Sequence, residues 1–279
     1  MLFTSPSNYL SACNWFTSNV TTNEAATAVF LMWLNTEMTY TFVVSFFYLV
    51  EKNRFCFSKY KIHKQSSDKA MFRSAIMFKP IAWLVDIPIY FLSFQMMGWN
   101  KQLQHMMNMA PNDTPYVPPS PMNPLPDNAT LFRHVLYLTL IFDLLFYCWH
   151  RLLHTKSMWK FHKKHHDVKV SFSCANDHES VVELTGNILW KMIPPALIGC
   201  HVYTVCVFRA IVKFFALLHH SGFELPCFTP LQSIPGVSSP SHHDFHHYYG
   251  HGNYGGVFSI WDHLFGTYKD TSKMKNKQV

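Results

Sequence analysis

The stretch LFRHVLYLTLIFDLLFYCWHRLLH, Leu131–His154, holds the two features that decide the fold. Leu131 to Trp149 is apolar almost throughout and matches the ~20 residues that cross a bilayer. It runs directly into His150 and His154, an i, i+4 pair. On a helix these two rings sit one turn apart on one face and can reach one metal ion. An apolar span that ends in paired imidazoles predicts a membrane protein with a metal site at the membrane surface. Asp143 interrupts the span, which is costly at that depth unless it faces protein or water. It lies about two turns before His150 on the same face, so it is expected to support a ligand ring.

Composition agrees. The 279 residues are 49% hydrophobic and only 14% charged, against about 25% charge in a soluble domain. Net charge is +7, but no basic run with interleaved aromatics appears, and the basic residues cluster beside apolar segments. That favours a membrane surface over nucleic acid as the partner. The seven cysteines are scattered without a C-x-x-C pair, which argues against a disulfide framework or a thiolate zinc site. The N-terminus lacks a basic segment followed by a long apolar one, so no cleavable signal peptide is expected.

Three further segments read as spans: Ala26 to Val50 with Glu37 inside it, Pro80 to Trp99 with Asp86 and Pro88, and Gly186 to Leu218. The last is broken by Lys191, Pro194, Pro195, Arg209 and Lys213, and reads as a fourth span or a re-entrant hairpin. Loop charge orients the set. Residues 51–79 carry eight Lys/Arg and residues 150–170 carry six, whereas 99–130 has only Lys101 and 1–36 has none. Positive loops stay cytosolic, so the N-terminus and the Pro-rich loop 99–130 are expected in the lumen, and the region after His150 in the cytosol. Three N-x-T sequons, at Asn19, Asn112 and Asn128, all fall on the lumenal side and predict a glycoprotein.

Two more clusters follow the first pair. FHKKHH gives His162, His165 and His166, and SHHDFHHYYGHGNYG gives His243, His246 and His247. Spacings of three and four put these rings on one helical face, with adjacent residues able to serve two ions. Neutral imidazole suits iron, zinc and copper. One zinc needs three or four protein ligands, so eight histidines, with His219 and His220 nearby, suit two ions. The carboxylate pattern of a soluble di-iron bundle is not seen.

At this point the residues resemble a family. WHRLLH, FHKKHH, HHSGFELP, HHDFHH and GNYGGVFSIWDHLFGT are similar to the membrane fatty acid hydroxylase and sterol desaturase superfamily, from about Leu131 to Thr267. Within it, Asn253-Tyr254 and Trp261-Asp262 after the third cluster resemble sterol C4-methyl oxidases most, and cholesterol 25-hydroxylases share much of the pattern. HES at His178–Ser180 departs from the His-Pro-x-Glu of the methyl oxidases by lacking the proline. The resemblance implies metal ligation by His150, His154, His162, His165, His166, His220, His243, His246 and His247, with His178 a tenth candidate. His219, His242 and His251 read as supporting or surface groups, Asn253 as a turn residue, and His263 as structural. Asp143, Asp177 and Asp244 are expected to hold the second nitrogens of ligand rings.

The resemblance also implies a fold and an activity. The fold is an all-α integral membrane helical bundle of about four transmembrane helices, with a cytosolic helical cap holding a dimetal site. Residues 1–130 would form the N-terminal membrane region, 131–267 the catalytic domain and 268–279 a basic tail. The implied activity is O2-dependent oxidation of a lipid C–H bond, a sterol first, by two iron ions, with zinc able to replace them in purified protein. The chain carries no G-x-G-x-x-G fingerprint and no haem-binding His-Pro-Gly-Gly, so cytochrome b5 or an NADPH-linked reductase is expected to deliver electrons. Lys275 and Lys277 resemble a dilysine signal for the endoplasmic reticulum membrane. The rivals are a fatty-acyl or sphingoid hydroxylase and, in another class, a non-catalytic metal-binding or transport protein. A transporter should place its ligands within the spans, and these follow one.

Overall fold

A computed structural model describes residues 24–64, 69–108, 122 and 124–271. The sequons at Asn19 and Asn112 and the Lys275–Lys277 pair lie outside them. The helices are α1 (Glu24–Lys52), α2 (Lys69–Met77), α3 (Lys79–Asn108), α4 (Asn128–Leu153), α5 (Trp159–His166), α6 (Val181–Ile198), α7 (Val202–His219), α8 (Pro240–Tyr249) and α9 (Ile260–Leu264), with one-turn pieces between some of them. Among the described residues there is no β-strand beyond two isolated bridges.

Local chemistry sets the helix ends that matter for the site. Asp127 caps α4 by accepting from Thr130 N at 2.9 Å, and Ser180 caps α6 by accepting from Glu183 N at 3.2 Å. A cap of this kind satisfies an N–H that the helix itself leaves orphaned. α8 starts with Ser239 as cap and Pro240 at its first position, and stops at Gly250, whose φ of +72° suits a residue without Cβ.

α1, α3, α4, α6 and α7 form the bundle. α3 lies along α6, α1 along α7 and α3, and α4 against α6 and α7. A large apolar core sits between them, including Met32, Met97, Leu138, Phe142, Met192 and Phe208. A second core, with Phe47, Val168, Phe172, Leu218 and Phe223, ties the end of α1 to the segment after α5. The outer faces are apolar too: Leu84 is 77% exposed and Phe132 68%. Exposed side chains of that size on long helices fit a lipid surrounding.

The stretch Lys69–Gly98, α4 and α7 are long and apolar enough to cross a membrane. The sequence pointed to about four crossings. α1 has the length, about 43 Å, but Asn35, Thr36 and Glu37 dilute its apolar face, and all three bond inside the protein. Asn35 donates to the Cys206 carbonyl at 2.9 Å and Glu37 accepts from Lys79 at 2.7 Å. The segment 186–218 divides into the hairpin α6–α7, which turns at Gly199 (φ +69°) rather than at Pro194 and Pro195. α7 is apolar because it is central as much as because it is long: 67% of its apolar window is buried, against 22% for Lys69–Gly98.

Candidate metal centre

Four helix ends deliver the histidines. His150 closes α4 and His154 is its cap residue. α5 presents His162, His165 and His166, His220 caps α7, and α8 presents His243, His246 and His247. The nine rings form two groups. His150, His154, His162, His166 and His246 make the first, and His165, His220, His243 and His247 the second, with ligand atoms inside each group all within 4.8 Å of one another. α5 and α8 serve both groups, because adjacent residues on a helix point about 100° apart.

The inward atoms are Nε2. In the first group Nε2–Nε2 distances are 3.1 Å for His150–His162 and His154–His246, and 3.0 Å for His162–His166 and His166–His246. In the second they are 2.9 Å for His220–His243, 3.1 Å for His243–His247 and 3.2 Å for His165–His220 and His220–His247. Donors at right angles around an ion ~2.1 Å away would be about 3.0 Å apart.

The proton positions make the fit to a cation specific. Nδ1 of His150 faces the Tyr254 carbonyl at 2.8 Å, His246 that of Gly252 at 2.7 Å, His220 that of Ala216 at 2.6 Å, and His247 that of Val168 at 3.1 Å. A carbonyl only accepts, so Nδ1 carries the proton and Nε2 a bare lone pair. Facing lone pairs cannot hydrogen-bond to one another. Protonating Nε2 instead is disfavoured: burial, and then the neighbouring imidazoles, push His154 down to about 3 and His162, His165, His243, His246 and His247 well below the usual histidine range. Converging neutral lone pairs in a buried site are the donor set of a metal ion.

The carboxylates do other work than the sequence suggested. Asp143, fully buried, accepts from Val257 N (2.6 Å), Phe258 N (3.0 Å) and Trp261 Nε1 (3.0 Å), so it holds a loop and no ligand ring. A Cβ at Gly256 would stand 2.9 Å from its Oδ1, which explains a glycine there. Asp244 binds His63 at 2.6 Å and Ser171 at 2.9 Å, and Asp177 binds Lys213 at 2.8 Å. Alternating positions on a helix explain the miss: Asp244 follows His243 and so faces away from the rings. The carboxylate beside a clustered ring is Glu183, 2.8 Å from His162 Nδ1 without good hydrogen-bond geometry. Its signal in the sequence was Ser180-x-x-Glu183, a helix-start pattern that fixes Glu183 in the first turn of α6.

A second acid, Asp262, was also missed. It accepts from Tyr254 N and Gly255 N at 2.8 Å each and from Thr267 Oγ1 at 2.8 Å. It thereby sets the peptide whose carbonyl takes the His150 proton. Asn253 is a turn residue, with φ +55° and its amide bonded to His242 O, Lys269 O and Lys269 N. His242 bonds Ser238 at 2.9 Å, His263 stacks on Tyr268 at 3.9 Å, and His251 is exposed. His178 belongs to neither group.

Two cavities meet the histidines. A small one, lined by His150, His162, His165, His220 and Glu183, lies between the groups. A larger one starts at His220, His219 and His243 and extends into the bundle between Phe142, Ile188 and Val212.

A family model described as fatty acid hydroxylase matches residues 135–267. Over 154 residues the chain is 35% identical to cholesterol 25-hydroxylase of Homo sapiens, covering 53% of this chain and 55% of that one. It is 35% identical over 158 residues to cholesterol 25-hydroxylase-like protein 1, member 2, of Danio rerio, covering 54% and 57%. Over 228 residues it is 28% identical to very-long-chain aldehyde decarbonylase GL1-11 of Oryza sativa subsp. japonica, covering 78% and 77%. The chain thus spans about half the length of the cholesterol 25-hydroxylases it matches. No solved structure matches. The matched stretch, a little under half of the chain, contains all nine clustered histidines, and over it the chain is similar to the fatty acid hydroxylases.

Proposed function

We propose that the protein is an O2-dependent oxidoreductase that hydroxylates a C–H bond of a membrane lipid, with a sterol side chain as the preferred target. The observation that carries this is the pair of imidazole groups, lone pairs inward, the second of which opens into a cavity inside the bundle. Acid–base side chains cannot break an unactivated C–H bond. Two irons in the groups, nine histidines between them, would supply the redox chemistry with O2. The chain's own part is to hold the rings. Peptide carbonyls keep Nδ1 protonated, Asp262 fixes the turn that offers one of them, and Glu183 lies beside His162. Phe142, Phe146 and Val257 line the cavity and keep water from the lipid chain.

Sterol C4-methyl oxidation was the first choice on motif resemblance. The named relatives instead include cholesterol 25-hydroxylases, and they move the preference to the side chain. The rice decarbonylases match over more of the chain, which supports a long-chain aldehyde as the second reading. Cytochrome b5 or an NADPH-linked reductase would deliver electrons to a basic cytosolic face, in the endoplasmic reticulum membrane.

The test is expression of the full chain in cells fed labelled cholesterol, with sterol profiling against the His165→Ala variant. A side-chain hydroxysterol that depends on His165 supports the reading. Oxidised 4-methyl sterols, hydroxylated fatty acids or shortened aldehydes would select a rival, and no oxidised lipid at all would remove the enzyme reading.

A further inference from the structure

Charged side chains inside apolar helices are retained where they face protein, water or a ligand. The larger cavity collects several: Asp86 from α3, Lys191 from α6, Arg209 and Lys213 from α7, and Asp177. Most have partners. Lys213 donates to Asp177 at 2.8 Å. Arg209, 5% exposed, donates to Thr36 Oγ1 at 3.0 Å and to the Tyr90 hydroxyl. Tyr90 in turn bonds Asp86. These contacts account for them as cross-links between α1, α3 and α7.

Lys191 is the exception. Its ammonium has three donors and no acceptor, and it makes no hydrogen bond or ion pair with a described residue. It lies 5.9 Å from the centre of the Phe142 ring, and Glu179 and Asp86 act on it only through space. Arg209 Nε, at the same level, is also unpartnered. Lys191 is thus the one charged group lining this end of the cavity, among the described residues, whose donors are all unused. The histidines are at the other end. Arg209 precedes His220 by about 16 Å of helical rise, and Lys191 lies about 12 Å beyond Glu183, the residue beside His162. Ile188, Phe142, Val212 and Ala216 form an apolar strip of the wall between them, beside Asn187 and the Lys213–Asp177 pair.

We propose that this cavity takes a long amphiphile whose hydroxyl is held by Lys191 and whose apolar end reaches His220 and His243. The proposal rests on reading the histidine centre as a C–H oxidising site, and it fixes where oxidation falls: on carbons remote from the polar group. In a sterol the 4-methyl carbons adjoin the hydroxyl-bearing carbon, whereas the side chain lies at the far end of the rings. With the hydroxyl on Lys191, the side chain is the part that reaches the histidines. Lys191 is thus a specificity residue.

The experiment is equilibrium binding of radiolabelled cholesterol, and of its deoxy analogue lacking the hydroxyl, to full-length protein in nanodiscs. The wild type should prefer cholesterol by about tenfold or more, the discrimination expected of one hydrogen bond to a charged donor. Lys191→Met keeps the apolar stem and should bring the ratio near one. Lys191→Arg keeps a donor and should restore most of the preference. A wild type that binds both sterols equally, or a Met variant that keeps the preference, overturns the assignment. If the Met variant does not fold, the wild-type ratio and the Arg variant still decide. None of these readouts needs turnover. A preference for the hydroxyl with no lipid oxidation would remove the enzyme reading alone, and oxidation without the preference would remove this one alone.

Discussion

The two histidine groups share two helices, yet they are built differently. The first has five rings, and its support comes from the turn after α8, through Tyr254 O and Gly252 O, with Glu183 beside His162. The second has four rings, supported by Ala216 O within α7 and Val168 O, and two of its members, His220 and His243, line the larger cavity. The first group is enclosed by a loop that acids hold in place, and the second opens toward the space where a lipid would lie. Four of the nine rings, two in each group, are oriented by peptide carbonyls, which a point mutation cannot delete. The acids that position those peptides are the mutable part of the support.

The largest effect should come from removing a ring. His165→Ala in the second group and His154→Ala in the first should each take lipid oxidation below detection, measured as oxidised sterol per milligram of protein in membranes. Retained activity in either would break the claim that both groups act together.

Next comes the loop that encloses the first group. Asp143→Ala leaves three buried N–H donors without an acceptor, at about 1–3 kcal/mol each. It should lower the unfolding midpoint in detergent by several degrees or abolish folding, and an unchanged midpoint would contradict the role given to Asp143.

Asp262→Asn and Glu183→Gln should separate the groups. Each should weaken metal at the first group by about 10–100-fold, the usual loss for an outer partner, and leave the second near wild type. Metal titration by competition with a chelator reads this directly. Equal weakening at both groups would mean that the support is shared.

The smallest expected effect is that of pH on metal-free protein. His154 and His220 are pushed down to about 3 and about 4, chiefly by burial. The unfolded chain takes up protons near pH 6.5, whereas the folded rings stay neutral until pH 3–4. The unfolded state therefore binds more protons across that window, and stability falls as pH drops below about 6.5. Bound metal should raise stability across the series, because it binds the folded rings, and the fall below pH 6.5 should keep its sign. A denaturation series from pH 8 to pH 4, with and without metal, checks both signs.

The histidines were legible because their spacing alone puts them on helical faces, and all nine converge. The clustering of His220 with three rings from other helices needed the family resemblance, since a single histidine at the end of an apolar run carries no spacing signal. The spans were legible by length and composition in α3 and α4. α7 was legible only as part of a longer broken segment, because a helix apolar from being central reads like one that faces lipid. The acids were not legible. Asp143 is buried, but its partner differs from the expected ligand ring, since its donors are the amides of a loop 114 residues away in sequence. Lys191 looked like a break in a span, and only the bundle reveals that its neighbours are paired with one another.

The central claim is that one chain holds two metal ions, one in each group. Metal analysis of the purified full-length protein, loaded with iron and freed of excess, tests it most directly. The account predicts two ions per chain for the wild type and one for His165→Ala with the membrane-inserted fold kept. One ion or none in the wild type, or two in the variant, would contradict it.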